Sequence, residues 1–121
     1  MLRFLVVEDE VLVAAQIDCL LIDEGLGVIG PVGTLDQAKL LARDEPVDAA
    51  LLDVNIMGGR TDDVADILTH RHIPFLFVTS CERGELPMKH REATMVHKPF
   101  KDADLMRAVR RIRLELREAF A

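Results

Sequence analysis

The feature that most constrains this chain is an alternation of short apolar runs, rich in Val, Ile, Leu and Phe, with stretches where apolar residues recur at helical spacing. Such alternation belongs to a parallel sheet, because consecutive parallel strands need a crossover and a helix is the usual one. Leu2 to Val7 reads as a first strand, and Val11, Leu12, Ala15, Cys19 and Ile22 as a helical stripe ending at Gly25. Gly27 to Pro31 predicts a short second strand. Leu35, Ala38 and Leu41 predict a helical face that stops before Pro46, and Ala49 to Leu52 a buried third strand ending at Asp53. The loop Asn55 to Arg60 carries the turn signal Gly58-Gly59. Val64, Ile67 and Leu68 mark a third helix, Phe75 to Val78 a fourth strand begun by Pro74, and Thr94 to His97 a fifth. Between these two strands, Cys81 to Glu92 holds Gly84 and Pro87 and has the weakest helical signal. A last helix, from about Asp102, repeats Leu105, Val109, Ile112 and Leu116 along one face. The expectation is an α/β fold of five βα units in one domain over 1–121, with no output domain.

Composition narrows the function. A chain of 121 residues can bury a core without metal or disulfide staples, and with 50% hydrophobic and 30% charged residues it has a globular composition. The net charge of -6 argues against a broad nucleic-acid or anionic-membrane footprint and suits cation binding instead. Cys19 and Cys81 are too few for a disulfide framework and form no CxxC pair, which points to two free thiols in a reducing, cytoplasmic setting. The opening MLRFLVVEDE meets carboxylates too soon for a signal peptide, and no run has the length of a membrane span. Arg107, Arg110, Arg111, Arg113 and Arg117 read as the solvated face of the last helix.

Polar residues end four of the strand-like runs: Glu8-Asp9, Asp53, Thr79 and Lys98. In an open parallel α/β sheet the carboxyl ends of adjacent strands share one edge, where ligands bind. Converging carboxylates raise one another's pKa values unless a hard cation neutralises them. Mg2+ fits, since it takes one or two carboxylates and keeps positions for water and phosphate. Asp53 is the natural nucleophile, able to attack phosphorus and form an aspartyl phosphate. Lys98 would pair with phosphoryl oxygens, and the Thr79 hydroxyl would donate to another. Singly, each has a plainer explanation as a helix cap, a loop residue or a surface charge. The ordered set of four argues for a site. His70, His72, His90 and His97 show no metal-ligand spacing and read as surface or packing residues.

The segments FLVVEDE (4–10), ALLDVNI (50–56), FVTS (77–80) and HKPF (97–100) together make the chain resemble the receiver domains of two-component response regulators over essentially its whole length. The resemblance implies a flavodoxin-like, doubly wound sheet of five parallel strands in the order 2-1-3-4-5, flanked by five helices. It implies that Asp9 is the direct acidic Mg2+ ligand, with Glu8 acting largely through water. Asp53 would be phosphoacceptor and metal ligand, the backbone carbonyl of Asn55 would complete the coordination, and Thr79 and Lys98 would contact the phosphoryl group. The Lys98-Pro99 bond is similar to one that is usually cis in the family. The implied donor is a histidine kinase or a histidine phosphotransfer protein. The implied output is a downstream protein that reads the fourth helix, fifth strand and fifth helix, or else service as a phosphate sink. No nucleic-acid or membrane partner is implied, and no catalysis beyond the domain's own phosphotransfer and slow self-hydrolysis.

GPVGTLDQA (30–38), LLDVNIMGG (51–59) and IPFLFVTS (73–80) further look like alphaproteobacterial single-domain regulators with a PFxFxTGY-type motif. Ser80 and Cys81 stand where that group has glycine and tyrosine. Met95, three residues before Lys98, stands where many receivers carry an aromatic. Two other functions share parts of the pattern. Haloacid-dehalogenase-type phosphatases also use a strand-end Asp, a Thr or Ser, a Lys and Mg2+, but want a second Asp where this chain has Asn55, and a longer chain. A degenerate receiver would bind partners without phosphorylation, for which the intact Asp9, Asp53, Thr79 and Lys98 leave little motive.

Overall fold

The structure of the protein, a computed structural model, describes residues 1–119, so the last two positions of the expected 1–121 unit lie outside the described residues. The elements are β1 (Arg3–Val7), α1 (Val11–Asp23), β2 (Gly27–Val32), α2 (Leu35–Asp44), β3 (Ala49–Leu52), α3 (Asp62–His70), β4 (Phe75–Thr79), β5 (Met95–His97) and α4 (Asp102–Ala119). The five strands are parallel and lie in the order β2-β1-β3-β4-β5, as expected. Val7 pairs with Leu52, Leu52 with Phe77 and Thr79 with His97, so the residues that follow these strands emerge at one edge of the sheet. Between β3 and α3 the chain makes a small antiparallel turn in which Asn55–Ile56 pairs with Gly59–Arg60. Its tip needs glycine: Gly58 has φ 95°, and a Cβ there would lie 3.3 Å from the Leu35 Cβ.

The sheet is buried on both faces, and side chains alternate between two cores. Leu5 and Val7 join Leu52, Val64, Leu68 and Phe77 on the side covered by α2 and α3. Phe4 and Val6 join Ile17, Leu21, Leu51, Leu105 and Val109 on the side covered by α1 and α4. Each fully buried Leu or Phe stabilises the fold by about 1.5–3 kcal/mol. Continuous apolar strands are thus the direct cause of the three-layer packing, which in turn holds the strand ends rigid.

Two expectations are corrected. The inward face of α1 is Ala14, Ile17 and Leu21, whereas Val11, Leu12, Cys19 and Ile22 are exposed. This helix is apolar around most of its circumference, so spacing alone could not pick the buried side; packing on the sheet did. The second correction concerns helix count: among the described residues there are four α-helices, and the expected helix over 81–92 is two short 3₁₀ turns, Arg83–Glu85 and Met88–His90. Pro87 supplies no backbone donor and holds Leu86 extended, at ψ 156°. Side chains hold the segment instead. Arg83 donates to the carbonyls of Arg91 and Ala93, Arg60 donates to that of Glu85, and the His90 ring nitrogen lies 2.8 Å from Asp66 Oδ1.

Candidate functional site

Asp53 follows β3 and is buried. Its carboxylate is held on both oxygens: the Val54 amide donates to Oδ1 at 2.7 Å and Lys98 Nζ donates to Oδ2 at 2.8 Å. Behind it, the hydroxyl of fully buried Thr61 donates to the Asp53 carbonyl at 2.6 Å, which fixes the turn into α3. Lys98, which follows β5 and precedes a cis bond to Pro99, also donates to Glu10 Oε1 at 2.9 Å. Its Nζ lies 2.5 Å from Glu8 Oε1. That contact is close and ionic, and Glu8 Oε1 has no other polar partner among the described residues. Glu8 Oε2 accepts from the Glu10 amide at 3.1 Å.

One ammonium therefore faces three carboxylates. Burial pushes the Glu8 carboxyl up to about 7, with the Asp53 charge adding to the rise and the Lys98 and Glu10 hydrogen bonds opposing it. For Lys98, burial alone would lower the pKa, but hydrogen bonds to Asp53, Glu8 and Glu10 outweigh it and hold the ammonium above its ordinary range. Oxygens of Glu8, Glu10 and Asp53 lie within 4.8 Å of one another. Clustered hard oxygen donors and an excess of negative charge over the single ammonium are what a small divalent cation would satisfy, so the residues present fit Mg2+.

Stability should follow the Glu8 proton. Its folded pKa, about 7, is above the value of 4.5 for a free carboxyl. The folded state therefore binds the proton more tightly, and this contribution is fully present below 4.5 and lost as pH rises through about 7. In chelator, the urea midpoint is expected to fall over that window. Saturating Mg2+ should abolish the fall, and a midpoint rising with pH in chelator would refute the assignment.

Of the residues expected from sequence, Glu8, Asp53 and Lys98 converge directly. Thr79 ends β4, is buried, and accepts from the Cys81 amide at 3.2 Å, while its carbonyl accepts from the Lys98 amide at 2.8 Å. Asn55 Nδ2 donates to the Cys81 sulfur at 3.4 Å. Asp9 is exposed and outside the convergent group; its neighbour Glu8 is the residue aimed inward. Sequence reasoning missed Glu10 and Thr61. Glu10 continues the acidic run of FLVVEDE, which was the available signal. Thr61 has the sequence signature of a helix cap, yet its side chain caps nothing and turns back to Asp53.

Comparison with known proteins gives a consistent picture. No family model matches the chain. The chain is 33% identical over 117 residues to the response regulator GacA of Pseudomonas viridiflava, covering 94% of this chain and 55% of that protein. It spans about half the length of the curated relatives it matches. The solution structure of SdrG from Sphingomonas melonis Fr1 superposes with a TM-score of 0.81 at 32% identity, covering 93% of this chain and 96% of that one. The receiver domain of the sensor histidine kinase PA1611 from Pseudomonas aeruginosa PAO1, solved with a magnesium ion in its active-site cleft, shares the fold. Its TM-score is 0.73 at 24% identity, covering 91% of this chain and 95% of that one.

Proposed function

Since the chain belongs to the receiver-domain family of response regulators, a component of two-component signalling, we propose that Asp53 accepts a phosphoryl group from a histidine kinase or phosphotransfer protein and that the change is read by a protein partner. The observation that carries this reading is the Asp53 carboxylate itself, fixed on Oδ1 by the Val54 amide and on Oδ2 by Lys98 among further carboxylates. Glu8, Asp9, Asp53 and the Asn55 carbonyl would hold Mg2+, a metal also present in the PA1611 receiver domain. Bound there, the ion would screen the carboxylates from the incoming phosphoryl oxygens. Asp53 attacks phosphorus and the donor's nitrogen leaves. Lys98 then pairs with a phosphoryl oxygen and the Thr79 hydroxyl donates to another. No described helix is long and apolar enough to cross a membrane.

Output is proposed to run through β5, α4 and the 81–92 segment, which replaces the expected fourth helix. The Cys81 amide and the Lys98 amide both bond Thr79, so movement of Thr79 toward new phosphoryl oxygens pulls the loops after β4 and β5 together. Met95, half-buried against the core, can follow by changing rotamer. Incubation with acetyl phosphate and Mg2+ is expected to add one phosphoryl group by intact mass. No gain under conditions that phosphorylate a control receiver would refute the reading.

Asn55 Nδ2 and Cys81 Sγ are in contact, and in the proposed site they would flank the path along which water reaches the phosphoaspartate. Thiol sulfur neither orients nor excludes water well. Replacing Cys81 by a bulky aromatic should therefore change the self-hydrolysis rate by about threefold, roughly 0.7 kcal/mol of barrier. Rates indifferent to both Asn55 and Cys81 substitution would remove this account.

A further inference from the structure

We propose that Glu10 is a positioning residue that receives the Lys98 ammonium while a divalent cation occupies the site and surrenders it once Asp53 is phosphorylated. The inference rests on the phosphoacceptor reading and extends it to a residue with no assigned role. Lys98 Nζ has three carboxylate neighbours that differ in one respect. The side chains of Glu8 and Asp53 are 1% and 9% exposed, whereas that of Glu10 is 59% exposed and stands at the rim. The Nζ contacts Glu8 Oε1 at 2.5 Å and Asp53 Oδ2 at 2.8 Å, and Glu8 and Asp53 belong to the proposed Mg2+ ligand set, from which the rim residue Glu10, though its oxygen lies in the same cluster, is left out. A divalent cation and the ammonium compete for these two carboxylates. A divalent ion repels an ammonium at such range, so Lys98 must withdraw, and the lysine stem is flexible enough to do so. Glu10 Oε1, at 2.9 Å, is the one carboxylate of the three it can keep.

A phosphoryl group on Asp53 reverses the balance, because its oxygens outcompete a solvated carboxylate for the ammonium. Glu10 therefore favours the metal-bound state and opposes the phosphorylated one. The backbone supports the role: the Glu10 amide donates to Glu8 Oε2, so the same residue that takes the lysine also steadies the inner carboxylate, and a side-chain substitution leaves that bond in place.

The test is Glu10→Gln in the full chain, with Mg2+ affinity and then beryllofluoride affinity in saturating Mg2+ followed by NMR. Beryllofluoride stands in for the phosphoryl group. Mg2+ should bind about threefold more weakly and beryllofluoride about threefold more tightly, the scale of one exposed ion pair. General destabilisation would weaken both, and loss in both or change in neither overturns the proposal. In a Lys98→Met background loaded with Mg2+, both effects should vanish; their persistence would mean that Glu10 acts on the ligands directly and overturns it too. Should Lys98→Met fail to fold, the Lys98 Cε–Hε signal decides. Glu10→Gln must shift it in the Mg2+-bound protein and leave it in place in the beryllofluoride-bound one, and any other pattern overturns the proposal. Wild-type protein that binds neither probe defeats the phosphoacceptor reading as a whole, whereas normal wild-type binding with an indifferent Glu10→Gln defeats this inference alone.

Discussion

Asp53→Asn protein incubated with acetyl phosphate and Mg2+ is expected to show no phosphoryl gain by intact mass, a loss on the order of a thousandfold or more in rate, about 4 kcal/mol of barrier. The amide is nearly isosteric, so its oxygen can still accept from the Val54 amide and the buried position stays filled. What disappears is the second carboxylate oxygen and its charge: an amide nitrogen has no available lone pair for phosphorus and cannot accept from Lys98 Nζ. Folding and chemistry are thereby separated. A variant with wild-type thermal unfolding and no phosphorylation supports Asp53 as acceptor. Uptake at the wild-type rate would move the acceptor elsewhere.

Lys98→Met is expected to have the largest effect on stability, lowering unfolding free energy in chelator at pH 8 by about 3 kcal/mol. Methionine fills the volume but leaves the buried Glu8 and Asp53 carboxylates facing each other without a counter-charge. The loss should shrink at pH 5. There Glu8, whose carboxyl is pushed up to about 7, is already protonated and needs no cation. Mg2+ at pH 8 should restore much of the loss, since anything bound only by the folded state stabilises it by mass action. Urea unfolding at the two pH values, with and without Mg2+, reads all three effects. A loss that is equal at both pH values and insensitive to Mg2+ would show that Lys98 contributes packing alone.

The fold was largely legible because its strands are apolar on both faces and bounded by clear stops. Gly25, Pro46 and Pro74 separate the elements, and Ala49 to Leu52 could be read as a buried strand. What escaped was any choice that local pattern leaves degenerate. In α1, several apolar stripes compete and only contact with the sheet selects Ala14, Ile17 and Leu21. In 81–92, apolar and charged residues could suit a helix, but Pro87 breaks the backbone ladder and bonds from Arg60 and Arg83, one of them distant in sequence, fix the alternative.

The same division holds at the site. Sequence by itself determined that Glu8, Asp53, Thr79 and Lys98 follow or end adjacent strands, because strand ends are set by local hydrophobicity and parallel strands in an open sheet present their carboxyl ends together. It also determined that the residues are of the hard, charged kind that holds a divalent cation and phosphate. Only the tertiary structure decided that Glu8 rather than Asp9 points inward, that Glu10 shares the lysine, and that Thr61 braces Asp53 from behind. Those outcomes depend on distances between side chains, those around Lys98 brought together from opposite ends of the chain. Burial and charge act through space with no memory of sequence separation, so local pattern offered at most the acidic run that contains Glu10.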